Sequence, residues 1–179
     1  MMQSELRNVI GLNTLQSNKL RIAGIVEESI VDGPGIRLTV FTQGCSHNCP
    51  GCHNPQTHDY RGGMEMDIEE IVKMVKANPM LDGITLSGGE PFDQAIACAN
   101  LARRIKELGL SVVVYSGYKY EYLLQKEEYR QLLQVADILI DGRFDISKKD
   151  LTLPFRGSSN QRIIDLKKSL SSNRIYIAS

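Results

Sequence analysis

Three of the four cysteines, Cys45, Cys49 and Cys52, fall on one short stretch with the spacing C-x3-C-x2-C. Three thiolates on one loop can hold three corners of a cubane iron–sulfur cluster, which ordinarily takes four. The missing fourth thiolate leaves one iron open to a substrate or cofactor. The competing chemistry is a zinc site completed by His47, His53 or His58. The sequence lacks the second ligand pair, a dozen or more residues away, that zinc modules usually carry. That favours iron–sulfur and leaves zinc open. A second chemical signal is Ser87-Gly88-Gly89-Glu90-Pro91. Adjacent glycines let a ligand come close to the backbone, and Glu90 offers a carboxylate there. Alone, this run reads first as a strand-to-helix turn. Beside a cysteine loop it becomes a candidate binding edge.

The elements that must position these residues follow from periodicity. Ile22 to Val26 is a candidate strand, and Ile36 to Phe41 alternates and is β-rich. Residues 44–63 form one long loop holding the clustered cysteines and all three histidines. Asp67 caps a helix with Ile68, Ile71, Val72 and Val75 on one face. Ile84 to Leu86 is a short strand running into the glycines. A helix follows with Cys98, Leu101, Ile105 and Leu108 on one face and Gly109 as its stop. Cys98 therefore reads as core, since a free cysteine packs as a small hydrophobe. Val112 to Tyr115 is a buried strand, Tyr129, Leu132, Leu133 and Ala136 mark a helix face, and Ile138 to Ile140 and Arg162 to Ile164 are further strands.

Strands alternate with helices, the rhythm of parallel βαβ units. The 179 residues are too few for a closed eight-unit barrel. The expected fold is α/β: an incomplete, open (β/α) barrel of about five or six parallel strands. Residues 1–20 are polar and weakly patterned and are expected to be a loose leader, with 21–179 a single domain. In such folds ligands bind at the carboxyl ends of strands, where both the cysteine loop and the glycines would sit.

Composition excludes other classes. Lys plus Arg and Asp plus Glu are both 21, so the net charge is zero, with no general pull toward nucleic acid. Trp is absent and aromatics are 6%, which argues against a stacking platform for bases. No apolar run is long enough to cross a bilayer, and the N-terminus lacks a signal-peptide core. A cytoplasmic protein with neither nucleic-acid nor membrane partners is expected.

With these residues in place, the chain resembles the radical S-adenosylmethionine superfamily, and most of all its small glycyl-radical-activating enzymes. The matching runs are Val31-Asp32-Gly33-Pro34-Gly35-Ile36-Arg37, the cysteine loop with Cys52-His53-Asn54-Pro55, and Ser87 to Pro91. Tyr115-Ser116-Gly117-Tyr118, Leu139-Ile140-Asp141-Gly142-Arg143-Phe144 and Phe155-Arg156-Gly157-Ser158-Ser159-Asn160-Gln161 match further on. The last run resembles the branch that acts on anaerobic ribonucleoside-triphosphate reductase. The resemblance implies that Cys45, Cys49 and Cys52 hold a [4Fe-4S] cluster whose fourth iron is chelated by S-adenosylmethionine. It places Gly88, Gly89 and Glu90 at the methionine amino group, Gly51, Cys52 and His53 near the nucleoside, and Ser116 at the cofactor. The implied reaction is reductive cleavage of the sulfonium by the cluster, after which the 5′-deoxyadenosyl radical takes a hydrogen from a glycine α-carbon of the large partner. The implied electron donor is a flavodoxin or ferredoxin. Gly51 departs from the superfamily, which commonly has an aromatic residue there. With only four cysteines, the longer activases with an inserted ferredoxin-like module are excluded. The competing readings are an activase of another glycyl radical enzyme such as pyruvate formate-lyase, a deazaguanine-forming synthase, and, in a different class, a zinc-stabilised interaction module. The segment 150–160, apolar residues beside Arg156, is expected to dock the partner.

Overall fold

The computed structural model describes residues 18–178. It is a mixed α/β fold on one seven-stranded sheet. The strands are β1 (Lys19–Ser29), β2 (Arg37–Thr42), β3 (Met64–Asp67), β4 (Gly83–Gly88), β5 (Ser111–Ser116), β6 (Ile138–Asp141) and β7 (Arg162–Asp165). The helices are α1 (Ile68–Ala77), α2 (Ala95–Glu107), α3 (Tyr120–Leu123), α4 (Glu127–Val135) and α5 (Leu166–Ser172). The sheet order is β3-β1-β2-β4-β5-β6-β7.

Only β2, β4, β5 and β6 run parallel to their neighbours. That is fewer than the five or six expected, because β1 and β7 close the parallel block from either side with antiparallel pairings. β3 pairs antiparallel with β1. Its Met-Glu-Met-Asp alternation is too short to stand out beside the loop before it. Of the expected leader, residues 1–17 lie outside the described residues. Leu20 is fully buried within β1, so the sheet begins before the expected boundary at 21.

Local chemistry explains the elements. The Asp67 carboxylate accepts from the Glu69 backbone N–H at 2.9 Å and caps α1, with Glu69 and Glu70 at its positive end and Lys76 in its last turn. Ile68, Ile71, Val72 and Val75 are its buried face. Cys98 is buried on α2, as its helical position requires. Among the described residues no helix is long and apolar enough to cross a membrane.

The parallel strands have two distinct faces. Leu38, Val40, Ile84, Leu86, Val112, Val114 and Leu139 join the helices in one apolar cluster. The intervening residues, with period two, include Phe41, Ser87 and Tyr115, which line a cavity. At the amino end of that second face lies Arg37, fully buried. Its Nε donates to Thr85 Oγ1 at 2.8 Å, Nη1 to Pro34 O and Ser111 Oγ, and Nη2 to Ile84 O and Ser111 O. Burial lowers its pKa to about 10, so it remains charged at neutral pH. This one side chain ties the turn before β2 to β4 and β5. Arg37→Met keeps the aliphatic stem and leaves those carbonyls without a donor. It should cost on the order of 3 kcal/mol or more. The measurement is a denaturant midpoint that falls with an unchanged slope; an unmoved midpoint refutes this role.

Candidate active site

The cysteine loop leaves the carboxyl end of β2 and is pinned at both ends by backbone. Gly44 N donates to Thr57 O at 2.7 Å and Cys45 N to His58 O at 3.2 Å. The Gln43 amide donates to Gln56 O and Asp59 O. Inside the loop, Asn48 (φ 49°) and Gly51 (φ 73°) are left-handed and turn the chain back, and Cys52 N donates to Cys49 O. All three thiols are free, half-buried and face one cavity of about 820 Å³.

Burial pushes the Cys45 thiol up to about 11 and raises that of Cys49. Without metal these sites hold their protons, so metal must displace them. The three cysteines line the wall of one cavity, from which they could hold three corners of a cubane cluster.

The glycine turn after β4 is joined to the cysteine loop directly. Gly89 N donates to Thr42 O and Glu90 N to Gly44 O, both at 2.8 Å. A Cβ on Gly89 would lie 2.4 Å from Gly44 O, and one on Gly88 (φ 87°) would lie 2.6 Å from Phe41 Cα. These glycines are therefore required by the protein's own backbone. The sequence pointed to a turn and to room for a ligand there, but not to the contact with the cysteine loop.

Of the expected cofactor residues, Cys52, His53, Gly88, Gly89 and Ser116 line the cavity. Gly51 and Glu90 are not among the lining residues. At Gly51 an added Cβ would lie 2.7 Å from Ile146 Cδ1, so packing within the protein itself favours glycine there. Glu90 is 1% exposed. Its carboxylate accepts from Phe92 N, Ser116 Oγ, Gly117 N and His47 Nε2, so it is a buried anchor and not a carboxylate beside an open approach. Ser116 reaches the cavity with its hydroxyl already committed to Glu90. His53 sits 4.9 Å, ring to ring, from Phe144.

Arg143 and the segment 151–157 line the same cavity as the cysteines. Tyr115 donates its hydroxyl to Phe155 O at 2.7 Å, and Phe155 itself is left-handed (φ 59°). Lys149 and Ser158 bridge the base of this segment. It is half cavity wall, with Leu153, Phe155 and Arg156 partly buried, and half exposed tip, with Leu151 73% accessible. Loop residues that fold back over a strand end carry no periodic signal, so their spacing does not show how far they are enclosed.

The sheet thus sets three cysteines and a diglycine turn on one cavity, the layout of an iron–sulfur protein. The family model described as "4Fe-4S single cluster domain" matches residues 31–164. The anaerobic ribonucleoside-triphosphate reductase-activating protein of Salmonella typhimurium is 36% identical over 77% of this chain and 94% of that protein. Its Escherichia coli K12 counterpart is 35% identical over the same shares. The pyruvate formate-lyase-activating enzyme of Clostridium pasteurianum is 36% identical over 67% of this chain and 50% of that protein. The chain belongs to the family of radical S-adenosylmethionine activating enzymes, on the branch of the anaerobic ribonucleoside-triphosphate reductase-activating proteins.

Proposed function

We propose that this protein binds a [4Fe-4S] cluster through Cys45, Cys49 and Cys52, binds S-adenosylmethionine at the open corner, and generates a glycyl radical on anaerobic ribonucleoside-triphosphate reductase. The observation that carries this reading is that the three cysteines, the Gly88-Gly89 turn and the end of β5 share one cavity. When bound, the cluster supplies one electron and S-adenosylmethionine the hydrogen-abstracting fragment. The chain's own residues do the rest. The three thiolates hold the cluster and leave a corner free. The bare backbone at Gly88 and Gly89 admits the methionine end, and His53 and Phe144 offer ring surface for the nucleoside. The wall from Leu153 to Gly157 shields the site from water.

The four parallel strands are read as an incomplete barrel around this cavity, in a single domain from β1 onward. Its open side is where a glycine-bearing loop of the reductase enters. The mouth supports this: Ile30, Val31 and Leu151 line it and are exposed at 74%, 69% and 73%. The donor that reduces the cluster is read as a flavodoxin or ferredoxin, and the place as the reducing cytoplasm. The Clostridium relative supports a second reading, in which the target is pyruvate formate-lyase.

The test is anaerobic. Reconstituted protein with dithionite and S-adenosylmethionine should yield 5′-deoxyadenosine and methionine in equal amounts. A colourless, zinc-loaded protein that releases neither product would sink the proposal.

A further inference from the structure

The buried Glu90 carboxylate gathers donors from three separate parts of the chain. Oε1 accepts from Phe92 N at 3.0 Å, at the start of the turn after β4, and from Ser116 Oγ at 3.0 Å, at the end of β5. Oε2 accepts from Gly117 N at 2.9 Å and from His47 Nε2 at 2.7 Å. Oε2 already accepts from Gly117 N, and with Nε2 as the donor it accepts from the imidazole as well. His47 lies between Cys45 and Cys49. Its side chain is 4% exposed and that of Glu90 is 0%. The imidazole also packs edge-on against Tyr118, with ring centroids 4.5 Å apart. It fills the space over Gly117, where a Cβ would lie 2.4 Å from His47 Cδ2. His47 is thus held on two sides and bonded on a third, although it is neither a cysteine nor a cavity-facing acid.

We infer that Glu90 and His47 are a positioning pair that locks the cysteine loop in register with the ends of β4 and β5. Their bond sets the distance between the cluster's open corner and the edge that holds the methionine end of S-adenosylmethionine. The inference rests on the proposed function and adds to it, since it makes the acid of the Gly-Gly-Glu turn an internal link and not a ligand. A strand end and a metal loop are separately anchored elements. A direct, water-excluded hydrogen bond between them is stronger and better defined in geometry than a solvated one. Cofactor chelation depends on that geometry, as the supporting shell of any metal site does.

The test uses the reconstituted holoprotein and three variants: His47→Ala, His47→Gln and Glu90→Gln. The readouts are iron content, S-adenosylmethionine affinity by equilibrium dialysis, and the change that S-adenosylmethionine produces in the electron paramagnetic resonance spectrum of the reduced cluster. His47→Ala should keep its iron, since all three cysteines remain. It should bind S-adenosylmethionine about tenfold more weakly, the worth of one hydrogen bond to a charged group, and lose the spectral change at a concentration that saturates the parent. His47→Gln can still donate an amide N–H to Glu90 Oε2 and should restore most of the affinity. Glu90→Gln sets an amide among N–H donors and should resemble His47→Ala. Unchanged affinity and spectrum in His47→Ala overturn the inference. So does His47→Gln as weak as His47→Ala, because the bond would then not be the active element. Loss of iron from His47→Ala would place the histidine in the cluster shell and also overturn it. If the parent protein, loaded with cluster, shows no spectral change with S-adenosylmethionine, the proposed function itself fails and the inference with it.

Discussion

Cys45→Ser, Cys49→Ser or Cys52→Ser should each abolish the cluster's visible absorbance, while Cys98→Ser should leave it intact. A serine hydroxyl is a poor ligand for iron beside thiolates, and a cubane held by only two cysteines has no third anchor on this loop. No other described cysteine can step in. Cys98 is fully buried on α2 in the apolar cluster, and burial pushes its thiol up, away from thiolate chemistry. Its serine variant should be less stable by about 1–3 kcal/mol, for a buried hydroxyl in an apolar site, yet brown when reconstituted. Iron analysis and absorbance on the four variants decide it. Bleaching by Cys98→Ser with retention in Cys49→Ser would reverse the assignment.

Gly89→Val should be nearly as severe, and in a way that composition alone does not foresee. From sequence, a bulky residue there is expected to block the cofactor and spare the cluster. The structure changes that expectation. The first added carbon already meets Gly44 O at 2.4 Å and Thr42 O at 2.9 Å. Both are backbone atoms that receive the turn's own hydrogen bonds, so neither can yield cheaply. The residue before Cys45 must move. Gly89→Val should therefore lose S-adenosylmethionine binding and much of its iron together, with a stability loss of about 1–3 kcal/mol or more from overpacking. Gly89→Ala, which adds only that first carbon, should already show both losses. A Gly89→Val protein with full iron content and impaired cofactor binding would restore the simpler view.

The sequence was most legible where local rules act alone. The capped α1, the buried Cys98 and the β-rich stretches of β2, β4, β5 and β6 follow from periodicity, capping and the opacity of an apolar strand to water. The antiparallel edges did not follow, because β3 is four residues of mixed character and its partner choice is settled by the sheet. In the site, the cysteines and glycines were visible because spacing and residue type carry their chemistry. The burial of Glu90 was not, since an acid after two glycines looks the same whether it faces a ligand or four internal donors. His47 was visible only as one loop histidine among three. Its distinction is a contact spanning 43 positions of sequence, which no local pattern encodes. The wall from Leu153 to Gly157 was hidden for the same reason: Tyr115 reaches it across 40 residues.

The most direct test of the central claim is a glycyl radical on the partner. The reconstituted, reduced protein is mixed with S-adenosylmethionine and anaerobic ribonucleoside-triphosphate reductase, and the reductase is then examined by electron paramagnetic resonance. The account predicts a doublet from a glycine α-radical that collapses when the reductase carries glycine deuterated at the α-carbon. It is contradicted if the cluster is reduced and S-adenosylmethionine is bound, yet no doublet forms on the reductase while one forms on pyruvate formate-lyase or on neither.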